Sequence, residues 1–273
     1  MALLWLPLQA FGLATPAATR LMQLGPALQG CMLLQDITSW EVLQKTVETQ
    51  FADISGSAVV APSPRHGLGL YASTDLAKDT VASFYPIHSL GLEDQRLTYD
   101  PKDAAADNWE SSAEYRAQVL HPQVQEQAPG VYVDVNLKRA EVSGWLAHRV
   151  NDAAVCAGAS EAEILEYLAT CRQECNCALV PFGTAQPIMA LYTTRDVSQG
   201  DELLICYGHS FWIEQAGGKV AADEPPTEAV ARAGTQVMWG DDDFEGRQAK
   251  LVERYRAEIA LFERVLAMCM STK

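Results

Sequence analysis

The side chains best equipped for chemistry in this chain are a strand-end tyrosine, an Asn-Asp pair, two closely spaced glycines and a group of cysteines. Tyr207 follows an apolar run and precedes Gly208. A phenol there can donate or accept a hydrogen bond without carrying charge at neutral pH. Asn151 and Asp152 can each bond nearby backbone and hold an irregular turn, and taken alone they read as a turn. Gly67 and Gly69, with Leu68 between them, let the main chain pass close to a neighbouring strand or a ligand. They do not form a dinucleotide fingerprint, since no third glycine follows and Tyr71-Ala72-Ser73-Thr74 does not open an apolar-periodic helix. Cys171, Cys175 and Cys177 offer three soft ligands, but zinc takes four, and no His pair or second Cys pair lies nearby. No metal is expected.

These groups need elements to position them. Residues 187–212 read as two β-type runs, 188–193 and 202–206, joined by a polar turn at Ser198-Gln199-Gly200-Asp201, a hairpin with Tyr207 at its exit. Residues 57–61, 80–85, 131–135 and 178–182 have strand character as well. Residues 91–130 lose that pattern and are punctuated by Pro101, Pro122 and Pro129, which predicts an insertion of short helices and loops carrying Tyr99, Trp109 and Tyr115. A second insertion covers about 153–174, where Ser160-x-x-Glu163 caps a helix that buries Ile164, Leu168 and Cys171. Upstream, Thr38-x-x-Glu41 and the stripe Trp40, Leu43, Val47 and Phe51 predict an amphipathic helix within an apolar N-terminal segment, 1–56. Residues 213–243, with Gly217-Gly218 and Pro225-Pro226, read as a linker. Residues 244–273 read as a C-terminal helix whose stripe Tyr255, Ile259, Phe262, Leu266 and Cys269 docks on its own domain.

Composition narrows the classes. The chain has 273 residues, with 20 Lys+Arg against 35 Asp+Glu and a formal net charge of −15. That surface repels nucleic-acid phosphates, so no direct nucleic-acid binding is expected, while basic peptides would be attracted. Seven cysteines in a chain large enough to do without staples point to reduced thiols and an intracellular setting, cytoplasmic or nuclear. The opening MALLWLPLQAF is interrupted by Pro7, Gln9 and Pro16, well short of a membrane span, and lacks a basic signal-peptide start. Acidic residues are absent from 1–35, which keeps organelle import as the alternative.

In order along the chain, Gly67-Leu68-Gly69, Gly144 to Asn151-Asp152, Asn176 before a strand, and Gly200-Asp201-Glu202-Leu203 leading to Tyr207-Gly208 form one pattern. Together with Ala190 to Val197, this resembles the SET domain of protein-lysine methyltransferases over about residues 57–212. The resemblance implies a mainly β fold with α insertions (α+β): small sheets around a knot-like crossing, plus flanking helices. It implies an S-adenosylmethionine-dependent enzyme acting on lysine side chains of a protein substrate. Gly67, Leu68 and Gly69 would present main chain to the cofactor, Asn151 its side chain, and Asp152 its backbone to the adenine edge. Trp212 would cover the adenine, and Tyr207 would line the lysine channel as the catalytic residue. Where the family usually has Asn-His, this chain has Asn151-Asp152. That departure favours a rival, a catalytically silent SET-like protein-binding module. Asp152 is expected to hold the turn by accepting from nearby amides or by pairing with His148 or Arg149.

Overall fold

The computed structural model describes residues 37–92, 95–98, 109–110, 115–119, 130–183, 188–218, 226–239 and 244–271. The apolar opening, 1–35, lies outside the described residues. In chain order come α1 (Ile37–Gln50), α2 (Ala52–Ser55), β1 (Ala58–Pro62), β2 (Leu68–Ala72), β3 (Val81–Phe84), β4 (Ser89–Leu92) and β5 (Gln95–Thr98). Next are β6 (Arg116–Gln118), β7 (Tyr132–Asp134), a 3-10 turn (Ala147–Arg149), β8 (Asn151–Asp152), α3 (Glu161–Glu174), β9 (Cys177–Pro181), β10 (Met189–Thr193) and β11 (Leu204–Ile205). The chain closes on α4 (His209–Gln215), α5 (Glu228–Trp239), α6 (Phe244–Arg254) and α7 (Arg256–Ser271).

The strands form four small sheets: β1-β2, β3-β10-β9, β5-β4-β7-β6, and the parallel pair β11-β8. β10 is buried at every position, as a central strand covered on both faces must be. This explains why the hairpin expected over 188–206 does not form. β3 and β9 already occupy both edges of β10, so the second run has no place beside the first. The polar turn is instead captured by β2. Gly200 N–H donates to Ala72 O (2.8 Å), Ala72 N–H to Asp201 O (2.9 Å) and Leu203 N–H to Leu70 O (2.7 Å). The chain then continues to pair with β8.

Two further expectations are corrected. In the 91–130 insertion, the described residues include strands that were not expected: the β4-β5 hairpin, and β6 on the edge beside β7. β6 is largely exposed, and an exposed edge strand needs little apolar sequence to announce it. The 213–243 stretch likewise contains a twelve-residue helix, α5. Its sequence Glu-Ala-Val-Ala-Arg-Ala is rich in helix formers, and Val230 is buried against α3 and α4 residues. The C-terminal segment is two helices meeting at Tyr255 rather than one.

That segment does dock on its own domain. Phe262 is buried among Phe84, Phe182 and Phe51, with ring centroids at 5.6, 5.6 and 5.1 Å. Tyr255 Oη accepts from the amide of Val81 (2.7 Å), serving the edge strand β3. Val47 and Phe51 are buried as the first amphipathic stripe requires, while the side chains of Trp40, Leu43, Leu266 and Cys269 lie outside the described set. α1 starts at Ile37, one residue ahead of Thr38. The capping box at Ser160 and Glu163 is present, with Ile164, Leu168 and Cys171 buried behind it. No described helix is long and apolar enough to cross a membrane.

Candidate functional site

Leu204 lies opposite Asn151 and Ile205 opposite Asp152 in the parallel β8-β11 pair, so the strand leading to Tyr207 runs beside the Asn-Asp turn. Asn176 fixes this pairing from the side. Its Nδ2 donates to Glu202 O (2.8 Å) and its Oδ1 accepts from Leu204 N–H (2.8 Å). A two-residue ladder is too short to be stable alone, and a side-chain amide that copies the backbone's own pattern extends it.

Asn151 ties the glycine loop to the crossing. Its Nδ2 donates to His66 O and Leu68 O, each at 3.2 Å, and to Glu202 Oε1 at 2.9 Å. All three bonds run through the nitrogen, leaving Oδ1 as an acceptor. Gly69 has no room for a side chain, because a Cβ would overlap Glu202 Oε1 and sit 3.0 Å from Asn151 Nδ2. Gly67 has φ +50°, the left-handed region that favours glycine. Leu68 between them is 46% exposed and Gly67 is exposed too, whereas Gly69 is buried. Arg65 closes the loop's near side, donating to Ala153 O (2.5 Å) and pairing with Glu174 (2.6 Å) at the end of α3.

Asp152 is the hub of the crossing. Its Oδ2 accepts from Tyr167 Oη (2.6 Å), Trp212 Nε1 (2.8 Å) and Tyr207 N–H (3.0 Å), and its Oδ1 from Ala154 N–H (3.2 Å). Burial pushes its pKa above the ordinary carboxylate value, and these same donors pull it back. The carboxylate accepts from main-chain amides as expected, but His148 and Arg149 are not its partners. Arg149 pairs with Glu141 at 2.7 Å, and His148 Nε2 lies 4.0 Å from the same carboxylate. Both belong to the 3-10 turn that precedes β8.

Tyr207 donates its hydroxyl to Val150 O (2.5 Å), which leaves the oxygen's lone pairs as acceptors. Phe211 meets its ring edge-on at 4.9 Å, and the indole of Trp212 lies parallel to it at 6.4 Å. Beside it opens a cavity of about 470 Å³, with Tyr85, Arg116, His148, Met189 and Phe211 among its walls. No described lining residue is Asp or Glu. Tyr207 is the one expected site residue that lines this cavity; Gly67, Leu68, Gly69, Asn151, Asp152 and Trp212 lie outside its wall. Hydrogen bonds through Asn151 and Asp152 nevertheless connect these positions into one network.

Three residues of that network are not singled out by the sequence reading: Tyr167, Glu202 and Arg65. Tyr167 had a usable signal, since 164, 167, 168 and 171 share one face of α3. Glu202 sits in the Gly-Asp-Glu-Leu run but its bond to Asn151 spans 51 positions, which no local pattern reports. Among the described residues, no three His, Cys, Asp or Glu side chains converge as a metal site.

Comparison with known proteins addresses the same stretch. No curated protein sequence matches the chain. Among solved structures, it is similar to a Plasmodium falciparum protein named as a candidate histone methyltransferase, at 14% identity and a TM-score of 0.32, covering 57% of this chain and 96% of that one. The SET domain family matches residues 67–208, just over half the chain. That match starts at Gly67 and ends at Gly208, bracketing the glycine loop, the Asn-Asp turn and the tyrosine corner described above, and the chain belongs to the SET-domain family.

Proposed function

We propose that this protein is an S-adenosylmethionine-dependent methyltransferase acting on lysine side chains of a protein substrate. The observation that carries the reading is the parallel β8-β11 pair, which joins the glycine loop, Asn151 and Tyr207 in one hydrogen-bonded unit within the SET-matching residues. The residues fit the cofactor's charged end. Gly67 and Leu68 offer exposed main chain beside Asn151, whose side chain keeps an acceptor oxygen for an amino group, while Glu202 fills the space next to Gly69. Bound there, S-adenosylmethionine supplies an electrophilic methyl group on a positively charged sulfur.

The chain's own part is positioning. Gly67, Leu68 and Gly69 present main chain, Asn151 its Oδ1, and Asp152 its backbone, while Trp212 and Asp152 brace each other at the exit of the crossing. Tyr207, held by Val150 O, keeps lone pairs with which to orient an amine and stabilise developing positive charge. The described cavity wall has no carboxylate and disfavours a charged ammonium, so desolvation pushes an entering lysine toward the neutral amine that attacks. The net charge of −15 supports a basic peptide partner, and the five free thiols among the described cysteines support an intracellular setting.

The test is a calorimetric titration of the purified protein with S-adenosylmethionine, beside Asn151→Ala. Saturable binding by the wild type and its loss in Asn151→Ala are the expected results. Absent binding that appears only in Asp152→His would make the protein a silent SET-like binding module.

A further inference from the structure

α3 is an insertion within the SET-matching residues, and nothing in the sequence gives it more than a packing role. Its Tyr167 is 3% exposed and stands at the centre of the tyrosine corner. The corner itself belongs to neither neighbouring element, since β11 ends at Ile205 and α4 begins at His209. Two consecutive amides in it are held by side chains. Tyr207 N–H donates to Asp152 Oδ2 (3.0 Å) and Gly208 N–H to Tyr167 Oη (3.0 Å). Tyr167 Oη in turn donates to Asp152 Oδ2 at 2.6 Å, so carboxylate and phenol form one clamp. Gly208 has φ +94° and caps α4 without a side-chain cap, leaving its conformation to depend on such outside bonds.

We infer that Tyr167 is a positioning residue for Tyr207: with Asp152 it sets the backbone of the Tyr207–Gly208 corner and so the placement of the Tyr207 phenol. The inference rests on the reading of Tyr207 as the group that meets the lysine. Asp152 and the insertion then belong together. A carboxylate accepts from Tyr167, Trp212 and the corner amide at once, which a neutral side chain with fewer lone pairs does not. Burial, with Cys206 and Asp152 adding to it, drives the Tyr167 pKa upward, so the phenol remains a donor at every working pH. Its ring lies in one apolar cluster with Leu168, Ile213 and Val230, whose packing does not depend on the hydroxyl.

Tyr167→Phe removes one oxygen and leaves that packing in place. Ile164→Ala weakens the same apolar cluster, is not part of the cavity wall, and keeps the hydroxyl. In steady-state methyl transfer, Tyr167→Phe is expected to lower kcat at least tenfold with KM for S-adenosylmethionine and peptide within threefold. Ile164→Ala is expected to lower the melting temperature at least as much while changing kcat less than threefold. Hydrogen–deuterium exchange read by mass spectrometry should show faster uptake at 206–208 in Tyr167→Phe and unchanged uptake in β3, β9 and β10. Equal kcat losses in the two variants, or unchanged uptake at 206–208, would overturn the inference. Wild-type protein inactive on lysine overturns instead the reading of Tyr207, and the exchange measurement still decides the clamp.

Discussion

Gly69→Ala isolates the glycine loop from everything else. The added Cβ overlaps Glu202 Oε1 and lies 3.0 Å from both Asn151 Nδ2 and Ser63 Cβ. The carboxylate is the movable partner, but its side chain is only 9% exposed and it accepts from Asn151 Nδ2 at 2.9 Å. Giving way therefore costs the Asn151–Glu202 bond. A hydrogen bond to a charged group contributes roughly 1.5–3 kcal/mol. If Asn151 reorients as a result, affinity for S-adenosylmethionine should weaken roughly 10- to 150-fold. Gly200→Ala is the control: it has φ +89° with nothing within 4 Å of a new Cβ, so it suffers backbone strain alone, about 1–2 kcal/mol. Calorimetric titration and thermal melts on both variants separate the two effects. Affinity within twofold of wild type in Gly69→Ala, with the protein folded, would refute the link from Gly69 through Glu202 to Asn151.

Other expectations follow from particular contacts. Phe262→Ala empties a site shared by Phe51, Phe84 and Phe182 and should cost roughly 3–5 kcal/mol in urea unfolding; a loss below about 1 kcal/mol would mean α7 is not part of the core. His88 and His148 have pKa values lowered by burial from 6.5 to about 3. The unfolded chain binds their protons first, so the stability they contribute is complete above pH 6.5 and disappears as pH falls toward 3. His88→Gln, if it folds, should flatten that part of the stability profile, and an unchanged slope would contradict the assignment. Raising salt should increase the apparent KM for a basic peptide with little change in kcat, because the net charge of −15 is screened. A salt-independent KM would remove the role of charge in recruitment.

The strands that build the centre were legible because burial wrote itself into their composition: the all-buried β10 reads Met-Ala-Leu-Tyr-Thr, apolar but for its last residue. The glycine pair, Asn151, Asn176 and Tyr207 were legible as residue types whose order matched a family. What failed was pairing. A β-run does not state its partner, and the turn at 198–201 looks like a hairpin turn until β3 and β9 are seen to fill both edges of β10. β6 and α5 were missed for different reasons: an exposed edge strand carries little apolar pattern, and the amphipathic run of α5 stands directly after Pro225-Pro226 in a stretch whose glycines and prolines read as a linker. The role of Asp152 was half readable. Its amide partners are close in sequence or at the crossing, whereas Tyr167 and Trp212 reach it from 15 and 60 positions away. No local rule names such partners, and only the fold of α3 and α4 against β11 brings them to one carboxylate.

The most direct measurement of the central claim is transfer of an isotope-labelled methyl group from S-adenosylmethionine to lysine in a basic protein substrate, with the modified residue identified by mass spectrometry. Label on lysine Nζ is expected with wild-type protein, and a changed rate or number of methyls with Tyr207→Phe while cofactor affinity stays within threefold. Cofactor binding without any label on lysine, or a Tyr207→Phe variant with wild-type rate and product distribution, would contradict the claim.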